Sequence, residues 1–196
     1  MDETGYHAGH NIIVIGTSMG GIEALTNLLS QLPANFPAPI LVVMHTHPSS
    51  PQVINQMIGK KAAMKVKFAE DDEVPCLGTV YLAPSDRHLL LEEKRMVLSR
   101  DPQEKHFRPA INTLFRSAAA THTTHVIGVL LTGLLSDGTA GLQSIKDFGG
   151  IAVVQDPADA AFPDMPQNAM NAVKVDYCIR LKDMGALLMK LVATPA

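Results

Sequence analysis

Asn11-Ile12-Ile13-Val14-Ile15-Gly16-Thr17-Ser18-Met19-Gly20-Gly21-Ile22-Glu23-Ala24-Leu25 is the stretch on which the fold turns. A strand-type apolar run, Ile12 to Ile15, stops at glycines. A helical pattern then begins, with Ile22, Leu25, Leu28 and Leu29 on one face. Between the two lies Gly16-x-Ser18-x-Gly20, the strand–turn–helix pattern of a nucleophile elbow. A serine at such a turn is expected in strained backbone geometry, its hydroxyl pointing off the end of a sheet, with glycines leaving room on both sides. The helix N-terminus that follows turns unpaired N–H groups toward the same spot. Phosphate-binding turns share this outline, but Ser18 stands where G-x-G-x-x-G has its second glycine, and no G-x-x-x-x-G-K-[ST] occurs.

Working outward, three further apolar runs read as buried parallel strands: Ile40–Met44, Val126–Leu131 and Ile151–Gln155. Helical patterns sit between them, from about Pro51 to Lys60, Pro109 to Ala120, after the glycine-rich turn Thr132–Gly141 through Phe148, Gln167 to Ala172 and Lys182 to Leu191. Gly149-Gly150 supplies a helix stop. Strand–helix alternation implies right-handed crossovers and a doubly wound α/β fold, its mostly parallel sheet covered on both faces by helices. Met64–Ala69 and Thr79–Ala83 alternate, and Leu89–Glu92 and Met96–Ser99 flank a charged turn. An antiparallel hairpin is therefore expected within residues 79–99. Residues 1–10 read as a loose tail and residues 11–196 as one domain.

The 196 residues carry a net charge of −3, which gives no electrostatic case for nucleic acid. No apolar run is long enough to span a bilayer and the first residues are not signal-like, so a cytoplasmic protein without membrane insertion is expected. Cys76 and Cys178 lack metal spacing and read as reduced thiols. His7 and His10, or His88 with His122 and His125, hint at a metal. With no acidic or thiol ligand at matching spacing, tail and turn residues are the expectation. Lys105, Arg108 and Arg116 read as a solvated basic face.

Three strand ends carry three complementary residue types: Ser18, His45 and Asp137. Ligands in open α/β sheets bind beyond the carboxyl ends of the strands, so these residues are expected to meet. Serine as nucleophile, histidine as base and aspartate as orienter make an acyl-transfer site that needs no metal or organic cofactor. The chain order Ser…His…Asp differs from the Ser…Asp…His of α/β-hydrolases. His47 rivals His45, and Asp72, Asp86 and Asp156 rival Asp137. Each rival reads better as a turn residue.

These residues lie in blocks that resemble the catalytic domain of CheB-type chemotaxis protein-glutamate methylesterases. The resemblance runs from Ile12 to Leu188. Ile15–Gly21, Val43-Met44-His45, Tyr81–His88, Arg108-Pro109, Leu131–Gly138 and Phe162–Pro166 carry it. It implies a parallel-sheet α/β fold and a triad of Ser18, His45 and Asp137. It also implies an oxyanion hole from the amides of Met19 and Leu134. The implied activity is hydrolysis of γ-glutamyl methyl esters on chemoreceptor-like cytoplasmic helices, with deamidation of some glutamines. Sensor-kinase or receiver proteins are the implied regulatory partners. The ten residues before the first strand leave no space for a receiver domain, so a stand-alone catalytic domain, or a piece of a longer protein, is expected. Three positions depart from the family pattern: Phe107 stands where histidine is frequent, Met19 where a smaller residue is usual, and Asn112 where aspartate is common. Two competing functions are a fold-retaining scaffold without turnover and an esterase or amidase for another substrate.

Overall fold

A computed structural model describes residues 10–45 and 53–193. The polar tail with His7, the rival His47 and the first residues of the helix expected from Pro51 lie outside them. The central sheet has seven strands in the order β3-β4-β2-β1-β7-β8-β9. They are β1 (Ile12–Thr17), β2 (Ile40–Met44), β3 (Lys65–Phe68), β4 (Thr79–Leu82), β7 (Val126–Leu130), β8 (Ile151–Gln155) and β9 (Tyr177–Ile179). Every neighbouring pair in this sheet is parallel. A separate antiparallel pair is formed by β5 (His88–Glu92) and β6 (Arg95–Ser99).

The apolar runs of β1, β2 and β7 are buried throughout because helices cover both faces. Side chains alternate across the sheet. Ile12 and Val14 enter one core with Leu114 and Phe115 of α3 (Ile111–His122), Leu142 and Ile145 of α4 (Thr139–Asp147) and Met165 of α5 (Asp164–Ala172). Ile13 and Ile15 enter the other with Leu25 and Leu28 of α1 (Gly21–Leu29), Ile58 of α2 (Ile54–Gly59) and Met184 and Leu188 of α6 (Leu181–Ala193). The doubly wound architecture expected from the sequence is thus present.

Four details differ from the sequence reading. The hairpin is confined to residues 88–99: Thr79–Leu82 instead runs parallel between β2 and β3, and all four of its residues are buried. An inner strand gains ladder bonds on both sides, a placement its alternating pattern does not show. Helix α5 starts at Asp164, three residues before the expected Gln167. Pro166 is tolerated there because first-turn amides have no helical partner. Strand β9 is three residues long and largely exposed, so it leaves no periodic signal. The fourth concerns the serine turn: the left-handed residue is Gly20 (φ 78°), not Ser18. Elsewhere Gly149 (φ 83°) ends α4 as expected, its N–H donating to Lys146 O at 3.0 Å.

Candidate active site

Three neighbouring strands set the site. β1 lies between β2 and β7, so the loops leaving all three emerge side by side at the carboxyl edge. The ends of β1 and β7 are sewn together: Ser18 N–H donates to Thr132 O at 3.1 Å and Thr17 Oγ1 donates to the same oxygen at 2.9 Å. His45 is fixed by its own N–H, which donates to Thr17 O at 3.1 Å. Gly20 must be left-handed to turn the chain into α1. Gly133 has no space for a side chain, because a Cβ there would run into the Met165 sulfur and lie 2.8 Å from Ser18 Cβ.

The three predicted side chains meet. His45 Nδ1 lies 3.2 Å from Ser18 Oγ, and His45 Nε2 lies 2.8 Å from Asp137 Oδ2. Asp137 is 1% exposed and accepts more than the imidazole. Its Oδ2 also receives Ile111 N–H at 2.7 Å. Its Oδ1 receives Asn112 N–H at 3.2 Å and Gly138 N–H at 2.9 Å. Ile111 and Asn112 open α3, whose N-cap, Ala110, offers no side-chain acceptor. The carboxylate therefore caps that helix from outside, in the positive end of its dipole. As the acceptor of the 2.8 Å bond, this carboxylate fixes the proton of neutral His45 on Nε2 and leaves the Nδ1 lone pair facing the serine.

Met19 and Leu134 flank Ser18 with exposed side chains. Among the described residues neither of their backbone N–H groups donates to a protein acceptor. Met19 and Leu134 give the site an apolar rim, and Leu135, the next residue of that loop, is the most exposed large apolar side chain among the described residues. The segment after Asp156 is tied to the β7 loop at Phe162. Phe162 accepts from Gly133 N–H at 3.0 Å and donates to Thr132 Oγ1 at 2.9 Å. A crevice of about 530 Å³ lies beside α1 and α6, behind Thr132, and neither Ser18 nor His45 lines it.

The rivals fall elsewhere. Asp86 pairs with Arg108 at 2.7 Å, and this guanidinium holds its carboxyl below the ordinary range. Asp72 sits 3.5 Å from Arg95, and Asp156 caps a turn by accepting Ala158 N–H at 2.9 Å. The expected basic face is tied down: Arg108 also donates to Arg100 O and Asp101 O, and Arg116 pairs with Glu104. His88 accepts Ala110 N–H on Nδ1 at 3.2 Å, so its Nε2 donates to Pro102 O. Among the described residues no three His, Cys, Asp or Glu side chains are grouped to hold a metal. Cys76 and Cys178 are free thiols.

Sequence reasoning missed two contributors. Asn112 is fully buried and accepts Gly138 N–H at 3.0 Å and Gly141 N–H at 2.8 Å, capping α4 as Asp137 caps α3. Phe107 stacks on His45. Both were visible only as departures from a family pattern.

Comparison with known proteins gives the family. The family model described as CheB methylesterase matches residues 13–188. A Leptospira interrogans protein named as a candidate protein-glutamate methylesterase/protein-glutamine glutaminase is 40% identical over 183 residues, covering 93% of this chain and 95% of that protein. A Geobacillus kaustophilus protein-glutamate methylesterase/protein-glutamine glutaminase is 36% identical over 186 residues. That match covers 92% of this chain but 53% of the longer relative. Among solved structures, the Thermotoga maritima CheB methylesterase catalytic domain superposes with a TM-score of 0.90 at 32% identity, covering 93% of this chain and 98% of that one. A matching family model over most of its length, relatives above 30% identity and a shared fold place this chain in the CheB methylesterase family.

Proposed function

We propose that the chain is a cytoplasmic serine hydrolase that removes methyl esters from glutamate side chains of chemoreceptor-like proteins. Ser18 is the nucleophile, His45 the proton carrier and Asp137 the group that orients and charges it. The observation that carries this reading is the hydrogen-bonded line Ser18 Oγ, His45, Asp137, at 3.2 and 2.8 Å. Ser18 Oγ attacks the ester carbonyl as its proton passes to His45 Nδ1. The amides of Met19 and Leu134 receive the developing oxyanion. Collapse breaks the C–OCH₃ bond, His45 protonates the leaving oxygen and methanol departs. Water, deprotonated by the same imidazole, cleaves the acyl-serine and frees the glutamate carboxylate and Ser18. A glutamine side chain would follow the same path, with ammonia leaving.

Charge development explains the arrangement. The imidazolium forms 2.8 Å from a buried carboxylate, so the intermediate ion pair is stabilised where water is largely excluded. The exposed side chains of Met19, next to the serine in the chain, and Leu134, next to the glycine packed on it, favour a protein surface as substrate over a small ester held in a deep pocket. The apolar rim suits the apolar flank of a helix bearing the ester. Chemoreceptor helices are the proposed partners, with sensor-kinase or receiver proteins acting on access to the site.

The test is methanol release from a methylated receptor fragment. The wild-type chain is expected to release methanol, and Ser18→Ala to lose at least about 10³-fold in kcat with an unchanged unfolding midpoint. Near-wild-type release from folded Ser18→Ala removes the nucleophile assignment. No release from wild type, with binding to the receptor intact, favours the scaffold function.

A further inference from the structure

One face of the His45 ring is covered by an aromatic ring that the proton-transfer line does not by itself require. The rings of Phe107 and His45 are parallel within 3°, with centroids 3.6 Å apart. Phe107 arrives there on a tight turn. Glu104 N–H donates to Phe107 O at 3.1 Å, and Phe107 N–H donates to Glu104 O at 2.9 Å. The two residues between, Lys105 (φ 47°) and His106 (φ 72°), are both left-handed. That is the conformation for which Asn-Gly is favoured, so two side-chain-bearing residues hold it against a steric cost.

The turn is held from outside. The Glu104 carboxylate accepts Asn112 Nδ2 at 3.1 Å and Thr113 Oγ1 at 3.2 Å, and it pairs with the Arg116 guanidinium. That guanidinium also keeps the Glu104 carboxyl below its ordinary range. Lys105 Nζ approaches Ser136 Oγ at 3.3 Å, in the loop that carries Asp137. Helix α3 therefore anchors two things. Its first two amides hold Asp137, which grips the edge of His45; the side chains of residues 112, 113 and 116 hold the turn that lays Phe107 on its face.

Two consequences follow for the imidazole. A stacked ring blocks tilting out of the plane that contains both hydrogen bonds, and a small tilt would lengthen both together. A π face also attracts a cation at this distance and keeps water from that side, so it favours the charged form that exists only during turnover. We propose that Phe107 is a positioning residue for His45: it fixes the imidazole plane between Ser18 and Asp137 and favours the imidazolium. This proposal rests on the reading of His45 as the proton carrier.

The experiment compares the full chain with Phe107→Leu, which keeps apolar bulk without a π face, and Phe107→Tyr, which keeps the ring. The His45 ring protons, assigned by their loss in His45→Gln, are followed by NMR through a common pH titration. Expected is an upfield ring-current displacement in wild type and Phe107→Tyr that disappears in Phe107→Leu. In methanol release, Phe107→Leu is expected to lose about tenfold in kcat with KM changed less than about twofold, while Phe107→Tyr keeps most of kcat. Glu104→Gln, which weakens the anchor without touching the ring, is expected to reduce both the displacement and kcat; it carries the test if Phe107→Leu does not fold. Wild-type kcat in Phe107→Leu, an effect confined to KM, equal losses in the Leu and Tyr variants, or no ring-current displacement in wild type would each overturn the proposal. Turnover surviving in Ser18→Ala would instead defeat the triad reading, and the ring-current comparison reports on the stack regardless.

Discussion

Asp137 is both a cap and an orienter. One carboxylate receives three backbone N–H groups and the imidazole, so its removal acts on stability and chemistry through the same atoms. In Asp137→Asn, the amide would turn an NH₂ toward two donors, either Ile111 N–H and His45 Nε2–H or Asn112 N–H and Gly138 N–H. Turnover is expected to fall by about 10³-fold or more. Urea unfolding is expected to report a loss of about 2–4 kcal/mol, as for a buried polar group left unmatched. A variant with wild-type stability would show that the α3 amides find other partners and that the capping contribution is small.

At the scale of elements, α3 and α4 cap each other. Asp137, two residues before α4, closes the start of α3, and Asn112, in the first turn of α3, closes the start of α4. Neither helix has a side-chain cap of its own. Asn112→Ala is expected to leave Gly141 N–H without an acceptor and Gly138 N–H with Asp137 alone. Its cost is about 2 kcal/mol by denaturant unfolding, with a parallel fall in kcat as the Asp137 loop loosens. An unchanged kcat would separate the α4 cap from the site. The contrast with the triad explains what a sequence discloses. Ser18, His45 and Asp137 follow apolar runs whose ends are marked in the chain by glycine, histidine or proline, so their convergence is readable from topology. Asn112 binds backbone amides 26 and 29 residues away, and Phe107 meets a ring 62 positions earlier. Nothing local marks either one. Strand β4 shows the same limit: its alternation marks a strand, and only the pairing of Val80 with Ile40 and Val66 makes it an inner parallel one.

Across the whole molecule, a parallel sheet with two buried faces holds three loop ends in register, and its stability has a built-in response to acid. His122, near the far end of α3, is 9% exposed, and burial pushes its imidazole down to about 4, with Lys94 and His125 acting in the same direction. In the unfolded chain it titrates near 6.5. The unfolded state therefore binds the proton first as pH falls. Stability is expected to drop between about 6.5 and 4 and to level off below, by at most about 3 kcal/mol from this residue. His122→Gln is expected to lose less stability than wild type between pH 7 and 4.5 in urea unfolding; an equal loss would contradict the assignment. The same sheet supports the central claim, that three strand ends assemble an activated serine. Its most direct test is labelling of the folded chain with a phosphonate ester, with the modified peptide located by mass spectrometry. The account predicts a single adduct on Ser18 that forms at least about 10²-fold more slowly in His45→Ala. No adduct on Ser18, or labelling at the same rate without His45, would contradict it.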